Sequence, residues 1–373
     1  MKQYRYASSH KKKIVEKEQV EEEKEKEEEE EEEEDNNNAG VAKVKTQSLG
    51  TNTNLNVNNC SSSVSKFILL GFPYTWKFQI LLFSIFSGTY ISTLIGNLCI
   101  ICAVWWDYRL QTPMYILLAN FSFLEICFIN STVPSMLANF LSESHDISFS
   151  GCFLQFYFFF SMGTTETFFL SVMAFDRYLA ICKPLHYSTI ITVQNCFRMG
   201  AGCWVCGFLY FLLPVYLVSQ LPFCCENKID HFLCDPGPLI KLSCEPAPGT
   251  EIICAIYNSV LIFSTFLFIT SSYTLVIRAV LRVPSAEGQK KAFSTCGSHL
   301  AVVSLFYGSL MVVYVSPTAG NPAGMQKIVT LFYSMLTPLF NPLIYSLRNK
   351  EMKEALRKLF RTVKFPQSHG KGY

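Results

Sequence analysis

Charge is what this sequence has least of once its first forty residues are passed. Residues 1–40 hold 15 of the 29 acidic and 8 of the 31 basic side chains, which leaves 14 acids against 23 bases for the rest. The near-neutral sum over 373 residues therefore hides a polar head on an apolar, mildly basic body. Other features are missing as well. There is no Gly-rich phosphate loop, no metal-spaced His pair and no nucleophile elbow, which sets enzyme chemistry aside. No apolar stretch of about 7 to 15 residues precedes a cleavage site near the start, so the head does not read as a signal peptide. The first apolar segment must then act as an uncleaved insertion signal. Neither an inverted repeat nor a long apolar segment broken at its middle is found, which argues against a transporter.

What is there is hydrophobic length. A helix needs roughly 20 mainly apolar residues to cross a hydrocarbon core about 30 Å thick, where no water satisfies bare backbone. Seven segments qualify, at residues 78–104, 114–140, 152–179, 196–219, 252–281, 292–315 and 325–347. The expected fold is all-α: a seven-helix transmembrane bundle over 67–347, a disordered N-terminal tail over 1–66, and a cytoplasmic amphipathic helix with its tail over 348–373. Lys and Arg set the orientation. Arg109, then Lys183 and Arg198, then Arg282, Lys290 and Lys291 follow the first, third and fifth segments, and the C-terminal tail carries Arg348, Lys350, Lys353, Arg357, Lys358, Arg361 and Lys364. Those loops face the cytoplasm and the N-terminus lies outside.

Residues 1–57 run from Lys11–Lys13 through a Glu tract to Asn-rich sequence without apolar periodicity, the composition of a disordered segment. The Glu tract reads as solvated filler, as a translation start placed too far upstream, or as an acidic binding arm. Asn59-Cys60-Ser61 is a glycosylation sequon on the outer side. Asn130-Ser131-Thr132 fits the same pattern but lies inside the second helix, beyond reach of glycosylation. In the long outer loop Cys224, Cys234 and Cys244 are spaced by ten residues, with Cys225 alongside, and Cys152 opens the third helix at the same face. In an oxidising exterior these suggest disulfide staples, and spacing leaves their connectivity open.

Charge at bilayer depth is costly, so each instance marks a candidate site. Glu125 lies in the second helix, Glu166 in the third, and Asp176-Arg177 at the third helix's cytoplasmic end. Glu166 stands three turns above Arg177, about 16 Å at 1.5 Å per residue, which puts it at the depth of Glu125. Two such carboxylates cannot both stay ionised uncompensated. A bound monovalent cation such as sodium is one solution, a shared proton another, and two separately hydrogen-bonded acids a third. Asn97, Ser171 and Asn341 stand at depths to complete the cluster. Arg177 reads either as half of an ion pair holding the third helix closed against the sixth, or as a snorkelling interface charge.

Several strings, in order, resemble those of the vertebrate odorant receptors within the rhodopsin-like G-protein-coupled receptors. They are Phe67-Ile-Leu-Leu-Gly-Phe72, Gly96-Asn97, Leu110-Gln-Thr-Pro-Met-Tyr115, Met173-Ala-Phe-Asp-Arg-Tyr-Leu-Ala-Ile-Cys182, Pro184-Leu-His-Tyr187, Ser272-Tyr273, Lys291-Ala-Phe-Ser-Thr-Cys-Gly-Ser-His-Leu300 and Pro338-Leu-Phe-Asn-Pro-Leu-Ile-Tyr345. The likeness covers roughly residues 67–360. It implies that Asp176, Arg177 and Tyr178 are the G-protein-coupling triplet, that Asn341, Pro342 and Tyr345 form the hinge and switch of the seventh helix, and that Trp204 packs the fourth. It also implies the pairs Cys152–Cys234 and Cys224–Cys244, leaving Cys225 as a departure with no expected partner. Glu125 stands where such receptors more often carry aspartate. The N-terminal extension is a second departure.

The resemblance further implies an outer pocket walled by Phe159, Phe160, Gly163 and Thr164 of the third helix and by Tyr307, Leu310, Met311 and Tyr314 of the sixth. These have the spacing of one face on each helix. Plain core is the competing reading for every aromatic, since the helices are Phe-rich throughout. No ionised side chain is among them, so neutral, mostly apolar ligands are expected; Phe159 stands where amine receptors carry aspartate. Tyr307-Gly308 in place of a Trp-Pro pair argues against a peptide or lipid receptor. The family implies Tyr307 as outer trigger, an outward swing of the sixth helix, and an olfactory stimulatory G protein raising cyclic AMP. Expected partners are thus a small odorant, a heterotrimeric G protein and the bilayer of the plasma membrane, without nucleic acid and with no cofactor beyond the candidate sodium ion. Residues 349–359 suit an amphipathic helix on the inner leaflet, with Met352, Leu356 and Leu359 opposite Lys353, Arg357 and Lys358.

Overall fold

A computed structural model describes residues 64–71, 76–142, 145–224, 227–314 and 323–364. The tail over 1–57, Asn59, Cys225 and the chain after Lys364 lie outside the described residues. Eight principal helices follow in order: α1 (Trp76–Trp106), α2 (Pro113–Leu141), α3 (Phe149–Cys182), α4 (Val193–Ser219), α5 (Pro248–Leu281), α6 (Ala286–Tyr314), α7 and α8 (Lys350–Lys364). Here α7 comprises Ala323–Leu331, a π-helical turn at Phe332–Leu336, and Thr337–Arg348.

Their ends follow from local chemistry. The Ser148 side chain accepts from Gly151 N at 3.1 Å to cap α3, and Thr192 accepts from Asn195 N at 3.2 Å to cap α4. Pro113 and Pro248 open α2 and α5, where a missing amide donor costs nothing. The 34 residues of α5 make it about 51 Å long, more than the hydrocarbon core needs. Among the described residues six of the spans are long and apolar enough to cross a membrane, and the apolar stretch of α6 is the shorter His299–Val312. The helix itself starts at Ala286, before the apolar segment placed at 292, because its first turns hold the exposed charged residues Glu287 and Lys290.

The helices differ in how much of them meets lipid. In their most apolar stretch 67% of α3 is buried against 22% of α1, which places α3 at the centre and α1 at the rim. The exposed Ile91 and Ile95 of α1, Val205 and Leu209 of α4 and Val260 and Leu267 of α5 face outward, a pattern that lipid explains and water does not. Between α3 and α4 the approach is so close that a Cβ on Gly207 would collide with Thr165.

On the outer face β1 (Lys66–Leu69) lies between β2 (Asp146–Ser148), antiparallel to it, and β3 (Lys228–Ile229), parallel to it. Three outer segments of the chain thus share one small sheet. Cys152 at the head of α3 is bonded to Cys234, and Cys224 to Cys244 across the loop. On the inner face Met352 and Ala355 of α8 are buried against the bundle while Lys353 and Arg357 stay exposed. Tyr115 donates to Glu351 at 2.8 Å and accepts from Asn349 Nδ2 at 2.6 Å, and Arg109 reaches Glu354 at 3.5 Å, so α8 is tied back to the start of α2.

Candidate functional site

Three clusters stack along the bundle around α3. The outermost is a cavity walled by Phe159, Phe160, Gly163, Thr164 and Thr167 of α3, with Phe128, Phe211, Asn258, Leu261, Ile262, Phe306, Leu310 and Tyr333 from α2, α4, α5, α6 and α7. Its free core, clear of the walls by a water radius, is about 40 Å³. Rings close it. Phe159 stacks on Phe128 at 4.9 Å and meets Tyr333 at 5.8 Å, while Phe160 stacks on Phe211 at 5.0 Å. Tyr333 reaches the cavity from the π-helical turn of α7, which buries Tyr333, Ser334 and Met335 together.

Of the expected wall residues, Phe159, Phe160, Gly163, Thr164 and Leu310 line this cavity. Tyr307 does not. Its hydroxyl turns away to donate to Thr265 Oγ1 at 2.8 Å, and Thr265 donates on to Leu261 O at 2.6 Å, so Tyr307 fastens α6 to α5 behind the wall. A buried phenol needs such a partner, and Thr265 supplies it away from the cavity. Met311 is half-buried and off the wall. The side chain of Tyr314 lies outside the described residues, as does that of Tyr345.

About midway, Asn341 Nδ2 donates to Glu125 Oε1, linking α7 to α2, and Asn97 Nδ2 donates to Pro338 O at 3.3 Å, linking α1 to α7. Glu166 is near enough for the two carboxyls to feel one another's charge. Glu125 Oε2, Glu166 Oε1, Asn97 Oδ1 and Asn341 Oδ1 are buried and accept no hydrogen bond among the described residues. Hard oxygens left open at one depth are a donor set that fits a small monovalent cation. Ser171 donates its proton to Thr167 O at 2.8 Å, within its own helix, which leaves the hydroxyl oxygen able to accept.

At the inner mouth Arg177 is ion-paired with Asp176, whose side chain is 1% exposed against 13% for the arginine. That burial disposes of the snorkelling alternative. Asp176 also accepts from Tyr187 at 3.0 Å, and burial together with Asp176 raises the Tyr187 phenol, keeping it a donor. Tyr273 of α5 shares a hydrogen bond of 2.7 Å with His299 Nδ1 of α6, their rings stacked at 5.5 Å. No carboxylate of α6 pairs with Arg177 among the described residues. Tyr178 stacks on Phe175 at 6.4 Å, and Pro342 lies where a Cβ on Gly96 would press on it at 3.1 Å.

An olfactory receptor family model matches residues 86–362. The chain belongs to the olfactory receptor family. It is 63% identical to olfactory receptor 11G2 of Homo sapiens over 302 residues, 81% of this chain and 88% of the relative. With olfactory receptor 11H6 of Homo sapiens the identity is 64% over 296 residues, 79% and 90%. With olfactory receptor 6N1 of Homo sapiens it is 46% over 302 residues, 81% and 97%. The protein is thus an odorant receptor coupled to G proteins, a multi-pass protein of the plasma membrane and not an enzyme.

Within the receptor, sequence reasoning missed Phe128, Thr167, Phe211, Asn258, Leu261, Ile262, Phe306 and Tyr333. Asn258, Leu261 and Ile262 carry a findable signal, one polar residue followed at i+3 and i+4 by branched apolar ones on a single face. Tyr333 carries none, since its direction depends on the π-helical turn. Tyr187 and His299 lie inside the strings quoted for the family likeness, but their bonds to Asp176 and Tyr273 join residues 11 and 26 apart.

Proposed function

We propose that this receptor binds a small, neutral, mostly apolar odorant in the outer cavity and signals through the olfactory stimulatory G protein, raising cyclic AMP. The cavity wall supports this: its polar side chains are Thr164, Thr167, Asn258 and Tyr333, and it has no Lys, Arg, Asp or Glu. An ionised ligand would lose its hydration there and gain no counter-charge, at a cost of several kcal/mol. The Asn258 carboxamide suits one ligand oxygen, as in an alcohol, aldehyde, ketone or ester. Because the free core is only about 40 Å³, an odorant must push rings aside to fit. It then favours whichever packing leaves them room, and its differential affinity moves the equilibrium between packings. The inner consequence is an outward swing of α6 that exposes Arg177 and the basic loops to the G protein.

Glu125 and Glu166, with the amide oxygens of Asn97 and Asn341, hold a sodium ion in this reading. The ion supplies the positive charge that allows both carboxylates to stay ionised. Sodium chloride then raises the thermal midpoint of the purified receptor relative to choline chloride, and Glu125→Gln removes the difference; equal midpoints in the two salts count against the ion.

The deciding experiment is a cyclic AMP reporter dosed with matched alcohols, ketones, acids and amines. Neutral members give the lower half-maximal concentrations, and preference for an acid or an amine refutes the ligand class. Arg177→Ala abolishes the response while surface expression is retained. An undiminished response in that variant shows that the coupling site is elsewhere.

A further inference from the structure

Lys327 belongs to no cluster described so far. It lies near the outer end of α7 with its side chain 6% exposed. Its Nζ donates to Asp230 Oδ1 at 2.5 Å and to Gly71 O at 3.0 Å. The two acceptors come from different outer segments. Gly71 follows β1 and Asp230 follows β3, and the sheet continues between them, with Leu70 N bonded to Ile229 O at 2.9 Å and Gly71 N to His231 O at 3.2 Å. Gly71 has a φ of 56°, the left-handed region that favours glycine, and no side chain crowds it. An ammonium removed from water is stable only when its donors are filled. Lys327 can therefore stay buried only while the chain before α1 and the loop before Cys234 remain in place.

The outer cap is packed through to the cavity. Phe67 of β1 stacks on Phe149 at 5.8 Å, Phe149 meets Phe153 at 4.7 Å, Phe153 meets Phe156 at 6.4 Å, and Phe156 meets the cavity-lining Phe160 at 5.2 Å. On α7, the cavity-lining Tyr333 is six residues beyond Lys327, about 9 Å along a helix. Cap and cavity wall meet α7 at the two ends of this interval.

We propose that Lys327 latches α7 to the outer cap and that this latch closes the cavity against small solutes arriving from the outer face. The latch goes beyond the odorant reading and does not depend on it. Access can be read directly with a Gly163→Cys reporter, since a Cβ there meets only Phe128, at 3.8 Å. Full-length receptor in nanodiscs is exposed to methyl methanethiosulfonate, and the modified peptide is quantified by mass spectrometry against the parent lacking the reporter. Relative to the reporter alone, Lys327→Met should be labelled roughly tenfold faster, since both charge-assisted bonds are lost, and Asp230→Asn about threefold faster. Lys327→Arg, which keeps a donor for each acceptor, should stay within about twofold. Asp230 is 56% exposed, so its amide variant tests the latch even if Lys327→Met does not fold. Equal rates in all variants overturn the proposal, and so does Lys327→Arg labelling as fast as Asp230→Asn. The readout involves no signalling, so it succeeds or fails apart from odorant binding and G-protein coupling.

Discussion

The outer and inner halves of this bundle are joined by different kinds of contact. Outside, two disulfides fix the long loop to α3 and to itself, and phenylalanines pack from β1 down to the cavity. Inside, the Asp176–Arg177 pair and the Tyr187 bond to Asp176 hold the end of α3 and the turn after it, and the Tyr273–His299 bond joins α5 to α6. A covalent bond has no alternative partner, and ring packing depends on shape and so resists small displacements. A hydrogen-bonded charge can exchange one partner for another at a small net cost, because the gross energies nearly cancel. In the proposed reading the comparison teaches a division of labour: the outer half resists small displacements and rearranges only for a ligand that displaces its rings, and the inner half can exchange its polar partners.

That contrast can be broken, and the largest effect is expected at the staple. Cys152→Ser should remove about 2 to 5 kcal/mol of stability, seen as loss of surface receptor by antibody labelling and a lower thermal midpoint of what remains. A variant with the parent's midpoint would mean that the outer half does not rely on its covalent link. At the inner mouth, Asp176→Asn should weaken a charge-assisted pair worth about 1.5 to 3 kcal/mol, raising ligand-free cyclic AMP per surface receptor. Unchanged basal output would show that Arg177 is restrained by something else.

A smaller effect sharpens the outer side. Burial, and then the Lys327 charge, lower the His231 pKa from 6.5 to about 3. A depressed histidine contributes its full stability above about pH 6.5 and loses it as pH falls towards about 3, because only the unfolded chain gains the proton there. At about pH 5 the loss should be up to about 2 kcal/mol, read as a lower thermal midpoint that His231→Gln no longer shows. The least effect is expected for Tyr187→Phe. Losing one hydrogen bond to Asp176 costs about 1 kcal/mol, so basal signalling should rise in the direction of Asp176→Asn but less. If Tyr187→Phe exceeds Asp176→Asn, the order of restraint at the inner mouth is the reverse of the one drawn here.

How much of this was legible beforehand depends on the range of the physics involved. Seven spans could be read because the need to satisfy every backbone group in lipid acts on each run of about 20 residues separately. The depth of Glu125 and Glu166 could be read because helix rise is constant. Where the helix of α6 begins, ahead of its apolar segment, could not be read, since a polar first turn leaves no apolar mark.

Composition and local sequence by themselves determined that the chain crosses a bilayer as helices, which loops face the cytoplasm, and that charge inside the bundle is confined to a few named side chains. Folding alone decided the rest. Tyr307 leaves the cavity for Thr265, Tyr333 enters it through a π-helical turn, and Lys327 finds partners 97 and 256 residues away. Each of these is a competition for hydrogen-bond partners or space between elements remote in the chain. Such competition depends on which atoms the packed bundle brings within about 3 Å, a distance that no local pattern encodes.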